Sequence, residues 1–151
     1  MDEHEIFNYI QKCKHLKYRF RGVFAADNFP TNLAKNSFVI VNISSSQSPG
    51  LHWILLAKNS SNNLYFADPL GFSLENFPIV LQQVKNCSFN KLIDIMETRS
   101  GYTKNLQSVN SQLCGLFCIY IAHYFYNAIN FIIPNVNNEL ELINFVKHMM
   151  S

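Results

Sequence analysis

Charge is scarce in this chain. Only 15% of the residues are Asp, Glu, Lys or Arg, 48% are hydrophobic, and the formal net charge is +2. Disorder needs the opposite balance, so a packed core is expected. So small a net charge does not by itself imply nucleic-acid binding. The length of 151 residues suits one domain, residues 1–151. Cysteine is sparse as well. Cys13, Cys87, Cys114 and Cys118 contain no CxxC pair, and no Cys/His cluster has zinc-site spacing, so no metal is expected. The opening "MDEHEIFNYI" is acidic and mixed, unlike a secretory signal. Free thiols in an intracellular reducing compartment are the expectation.

The longest absence is of charge between Lys104 and Glu139. Within it, residues 113–133 are long enough to cross a bilayer. His123, Asn127, Asn130 and several tyrosines interrupt that stretch, and positive flanks are missing. A buried helix fits better than a membrane span. The positive charge concentrates elsewhere. Lys12, Lys14, Lys17, Arg19 and Arg21 are five of the twelve basic residues and lie in one run, "KCKHLKYRFRG". The run reads as a solvated face or as a modest polyanion patch that DNA would fit.

No repeat or domain boundary is visible. Residues 2–14 are expected to form a helix with Ile6, Phe7 and Ile10 on one face. "GVFAADNFPTN" reads as a loop by its Gly, Asp-Asn and Pro. "SFVIVNI" (37–43), "LHWILLAK" (51–58) and "LYFAD" (64–68) read as strands. Residues 73–87 are expected to be helical with Leu74, Phe77, Leu81 and Val84 inward, and 91–98 a strand with Leu92 and Ile95 buried. A long helix is expected over 111–130, capped by Asn110 or Ser111, and a last one over 139–149, capped by Asn137 or Asn138. Strands and helices do not alternate regularly. The expected class is α+β, a mostly antiparallel sheet packed on a long helix.

Chemistry enters through four residues. Counting outward from the turn "NSSNN", Lys58 faces Leu64 and His52 falls near Leu70, so Asp68 is at most a diagonal step from His52. A carboxylate beside an imidazole fixes its tautomer and stabilises its cation. Cys114 lies in the first turn of the long helix, where the dipole and an imidazolium lower a thiol pKa. Gly115 beside it leaves room for a substrate backbone. Cys118, one turn deeper, is expected to be a small core residue. A cysteine hydrolase must also hold an oxyanion. The Cys114 N–H and the side-chain amide of Gln107 are the expected donors, with Gln112 the competing candidate. Taken one at a time, each of these residues is more often packing than catalysis.

The order His, Asp, Gln, Cys makes the resemblance specific. "HW", the acid sixteen residues after the histidine in "YFADPLG", and "QSVNSQLCGLFCIYIAHYF" resemble the adenovirus maturation protease family (adenain), in the wider clan of SUMO and ubiquitin-like-protein proteases. "GVFAADNFP" is also similar to a segment of such proteases, and the resemblance covers roughly residues 20–130. It implies a fold papain-like in the broad sense with the long helix carrying the nucleophile: Cys114 as nucleophile, His52 as general base and acid, Asp68 as orienting carboxylate and Gln107 as oxyanion donor. It also implies that Trp53, Gly115 and Asp27 border the substrate. Adenain itself has Glu at the position of Asp68, whereas the SUMO branch has Asp. The implied activity is a cysteine endopeptidase cleaving Gly-containing sites in a viral or virus-like-transposon structural precursor, in the host nucleus or the virion. The chemistry calls for no cofactor. An activating peptide or DNA is the candidate activator, although no cysteine between Cys87 and Cys114 offers the peptide a disulfide partner. A monomer is expected. Two rival readings stay open: a deconjugase of ubiquitin-like proteins, and a catalytically silent adaptor.

Overall fold

The computed structural model describes residues 2–43, 52–98, 113–127, 133–136 and 138–149. Helix α1 (Glu3–Gln11) starts at Asp2, whose carboxylate accepts the Glu5 N–H at 2.9 Å. It buries Ile6 and Ile10, while Phe7, expected on the same face, stays 46% exposed. A short helix α2 (Lys14–Lys17) leads into strand β1 (Phe20–Ala25). Strands β2 (Phe38–Asn42), β3 (Trp53–Lys58) and β4 (Leu64–Ala67) follow. A 3₁₀ turn (Leu74–Asn76), helix α3 (Pro78–Val84), strand β5 (Leu92–Asp94) and a second 3₁₀ turn (Met96–Thr98) come next. Helices α4 (Cys114–Asn127) and α5 (Glu139–Met149) complete the order. Asn138 caps α5 by accepting the Glu141 N–H at 2.9 Å. The expected caps of α4, Asn110 and Ser111, lie outside the described residues.

The strands form one sheet in the order β1-β2-β3-β4-β5. The pairs β2–β3 and β3–β4 are antiparallel, but β1–β2 and β4–β5 are parallel. The sheet is therefore mixed, not mostly antiparallel. Two connections cross over instead of folding back: residues 26–37 between β1 and β2, and the segment holding α3 between β4 and β5. Strand β1 replaces part of the expected loop. It is an edge strand whose pairing is irregular between Phe20 and Val23, around Gly22 at φ +129°. A bulge at a glycine explains why the sequence there reads as punctuation. Pro78, which weakens a helix over 73–87, stands at the first position of α3, where its missing N–H costs nothing. Strand β5 ends at Asp94 and Leu92 is 41% exposed, while Ile95 is buried as expected.

Both faces of the sheet are covered. Phe38, Ile40, Trp53, Leu55, Ala57 and Ala67 pack with α1, α2, α4 and α5 on one side. Val39, Val41, Ile54, Leu56, Leu64 and Phe66 pack with Leu74, Val80 and Val84 on the other. Burial on both sides is why β2 and β3 read as continuous apolar runs without alternation. Helix α4 runs along β3 in the same direction. Cys118 donates to the Trp53 carbonyl at the start of β3, and Tyr126 donates to the Lys58 carbonyl at its end. The described α4, at 14 residues, is roughly 21 Å long. Among the described residues no helix is long and apolar enough to cross a membrane.

Where α2 meets α4, His15 and His123 share a 2.7 Å hydrogen bond between Nε2 and Nδ1, with the rings edge to face. Burial lowers both pKa values, helped by Arg19 at His15 and by His15 at His123. The basic run is no single helix face. Lys12 closes α1, Lys14 and Lys17 lie on α2, and Arg19 and Arg21 flank or lie on β1. Arg19 stacks over the Tyr126 ring at 4.5 Å, and Arg21 donates to the Tyr18 carbonyl at 2.8 Å.

Candidate active site

Antiparallel pairing of β3 and β4 brings the start of one to the end of the other. The observed register pairs Lys58 with Leu64 and Leu55 with Ala67, which carries on to 52 opposite 70. His52 stands just before β3 and Asp68 just after β4. Cys114 is the first residue of α4, so it carries one of the N–H groups that a helix leaves unbonded within itself. Three elements thus end at one place.

The turn "DPLG" builds the carboxylate's cradle. Asp68 Oδ1 accepts the Leu70 N–H at 3.0 Å and Oδ2 the Phe72 N–H at 3.3 Å, while the Asp68 carbonyl accepts from Gly71 at 2.8 Å. Gly71 has φ +86°, a conformation that favours glycine. Asp68 is fully buried, and these donors compensate the desolvation of its charge. Its Oδ1 also meets His52 Nε2 at 2.5 Å. A carboxylate only accepts, so Nε2 must carry the proton. That leaves Nδ1 as the nitrogen for the hydrogen bond between His52 and the Cys114 thiol.

Electrostatics separates the two cysteines of α4. Burial alone would push His52 down, but the Asp68 hydrogen bond, the Cys114 hydrogen bond and both charges outweigh it and raise His52 to about 9. Burial would likewise push Cys114 up. The His52 hydrogen bond, the Trp53 N–H, the imidazolium charge and the Gly115 N–H bring it below its ordinary 9.0. The Trp53 N–H donates to Cys114 Sγ at 3.4 Å. The pair therefore favours thiolate and imidazolium together. Cys118 goes the other way. Complete burial, then the charges of Cys114 and Asp68, push it well above 9.0, so it stays a neutral thiol.

Trp53 is 6% exposed, its side chain in the core, and what it gives Cys114 is its backbone N–H. Gly115 is buried and also contributes an N–H. Asp27 is exposed in the turn after β1. Besides burial and each other, the groups that set the ionisation of His52 and Cys114 are Asp68, Trp53 and Gly115. Gln107 and Gln112 lie outside the described residues. The backbone donors at Trp53, Leu70 and Phe72 carry no residue-type signal, which hides them from a reading of the sequence. The fixed turn in "DPLG" is the one hint of them. Among the described residues no group of three or more His, Cys, Asp or Glu is arranged to hold a metal.

Comparison with known proteins gives a consistent neighbourhood. The family model described as "Adenovirus endoprotease" matches residues 20–151. The protease of Bovine adenovirus 4 is 34% identical over 123 residues, covering 74% of this chain and 59% of that protein. The protease of Ovine adenovirus D serotype 7 (isolate OAV287) is 33% identical over 135 residues, covering 82% and 64%. The chain spans less than two thirds of the length of these relatives. A solved ASFV protease overlaps 76% of this chain and 44% of its own at a TM-score of 0.40 and 16% identity.

Proposed function

Because the chain belongs to the adenovirus endoprotease family, matched over residues 20–151, we propose that it is a cysteine endopeptidase acting on a polypeptide substrate in virion maturation. The observation that carries this reading is the line Asp68–His52–Cys114, in which the histidine pKa is raised and the thiol pKa lowered. The Cys114 thiolate attacks the scissile carbonyl, and the oxyanion is held by the Cys114 N–H and the Gln107 amide. The imidazolium of His52 gives its Nδ1 proton to the leaving amine. The neutral imidazole then takes a proton from water, which releases the acyl group. Asp68 keeps Nε2 protonated and the ring in plane throughout.

On family likeness the substrate is a structural precursor cut at Gly-containing sites, in the nucleus or the virion, by a monomer. Trp53, Gly115 and Asp27 border it, and no cofactor takes part in the chemistry. An activating peptide or DNA is the proposed regulator, with DNA reaching the region Lys12–Arg21. A DNA-stimulated rate that falls steeply with salt supports that role, and a flat salt response removes it. The test of the main reading is Cys114→Ala. It is expected to abolish cleavage of a Gly-containing peptide while the melting temperature stays close to that of the parent. Residual cleavage would move the nucleophile elsewhere. One observation favours a deconjugase, the Asp at position 68 in place of Glu. Selective labelling of Cys114 by a ubiquitin-like C-terminal probe, without peptide cleavage, would establish that alternative.

A further inference from the structure

The peptides at the start of β3 have unequal partners. The His52 carbonyl faces β2 and accepts the Ile43 N–H at 3.1 Å. Hydrogen-bonding direction alternates along an antiparallel strand, so the N–H and carbonyl of Trp53 point the other way, toward the line of β4. Two residues beyond the Leu55–Ala67 pair, that line offers Pro69 opposite Trp53. Proline has no N–H to donate, and the chain is already turning there. Pro69 therefore cannot donate to the Trp53 carbonyl.

Two thiols of α4 take over. The Trp53 N–H donates to Cys114 Sγ at 3.4 Å, and Cys118 Sγ donates to the Trp53 carbonyl at 3.4 Å. The cysteines are four residues apart, one above the other on the same helix face. Cys118 is fully buried and held as the neutral thiol, which is the form that donates. A single residue's backbone is thus gripped at both ends by one turn of helix.

We propose that Cys118 is a positioning residue: by holding the Trp53 carbonyl it aims the Trp53 N–H at the Cys114 sulfur and fixes the strand end from which His52 projects. This role goes beyond the packing expected of Cys118 from sequence, and it rests on the protease reading of Cys114. An alanine at 118 fits the helix and removes the donor. A serine keeps a donor in nearly the same place.

The test compares the parent chain with Cys118→Ala, Cys118→Ser and, as a packing control, Ile119→Val, since Ile119 is also fully buried in α4. Iodoacetamide labelling of Cys114 is followed against pH by peptide mass, and kcat and KM are measured on a Gly-containing peptide. In Cys118→Ala the acid limb of labelling is expected to move to higher pH. Its kcat should fall about 2- to 10-fold at unchanged KM, the size of one neutral hydrogen bond. Cys118→Ser should recover most of that, and Ile119→Val should change only the melting temperature. A parent Cys114 that labels like an ordinary free thiol would overturn the protease reading and this role with it. A parent with the low limb, alongside Cys118→Ala with the same limb and kcat, would overturn the positioning role alone. So would a Cys118→Ser no better than Cys118→Ala.

Discussion

Asp68→Asn removes one charge and almost no volume from a fully buried side chain of the candidate site. The carboxylate accepts three N–H groups, from His52, Leu70 and Phe72. An amide has one oxygen, so the substituted side chain cannot accept all three. With its oxygen toward His52 and Leu70, its NH₂ faces the Phe72 N–H, donor against donor. With the amide flipped, it turns donors on His52 and Leu70 instead. A hydrogen bond to a charged group contributes about 1.5–3 kcal/mol. At 1.36 kcal/mol per pKa unit, losing it lowers the His52 pKa by about 1–2 units. Burial, which already opposes the imidazolium, then acts with less resistance. The base limb of kcat/KM on a Gly-containing peptide, expected near the His52 value of about 9, should therefore move to roughly pH 7–8. If the same energy is lost in the transition state, kcat falls roughly 10- to 150-fold. A base limb that stays near the parent's, with kcat within about twofold, would refute the claim that Asp68 sustains the imidazolium.

The His15–His123 pair predicts acid sensitivity. Both pKa values lie below their ordinary 6.5, so the stability they support is present above 6.5 and lost as pH falls through the folded-state values. Melting temperatures taken from about pH 7.5 down to about pH 5 should drop, and His123→Phe, which keeps the ring contacts with Tyr124 and Phe145, should flatten that slope; an unchanged slope assigns the acid loss elsewhere. His52 has the opposite sign. Its value is raised from 6.5 to about 9, so its contribution is complete below 6.5 and disappears as pH rises through about 9. Thermal melts at alkaline pH should show that loss in the parent and a smaller one in Asp68→Asn. Gly71→Ala forces a side chain onto φ +86°. It should cost about 1–2 kcal/mol in denaturant unfolding and lower kcat by disturbing the Asp68 turn, and normal values of both would show the turn to be tolerant. Ile10→Ala, at a fully buried position, should cost about 2–5 kcal/mol by the same measurement while leaving the labelling profile of Cys114 in place.

Much of this protein is legible in local pattern. The β-branched run of β2 and the apolar and aromatic runs of β3 and β4 mark those strands, and the length of the "NSSNN" turn sets the register that carries His52 toward Asp68. That works because a hairpin fixes its pairing through its own turn, with no help from the rest of the chain. The long apolar helix after Cys114, the cap at Asn138 and the family likeness are equally local, since each rests on residue types at fixed spacing. The parallel strand pairs escape such a reading, because crossover direction depends on where whole elements pack. The chemical difference between Cys114 and Cys118 needs tertiary structure most of all. Both are buried thiols of one helix face. What divides them is the imidazole of His52 and the two ends of the Trp53 backbone, reached across 61 and 65 residues of chain. Sequence put a cysteine at the start of a helix. Only folding put a donor on one sulfur and an acceptor beside the other.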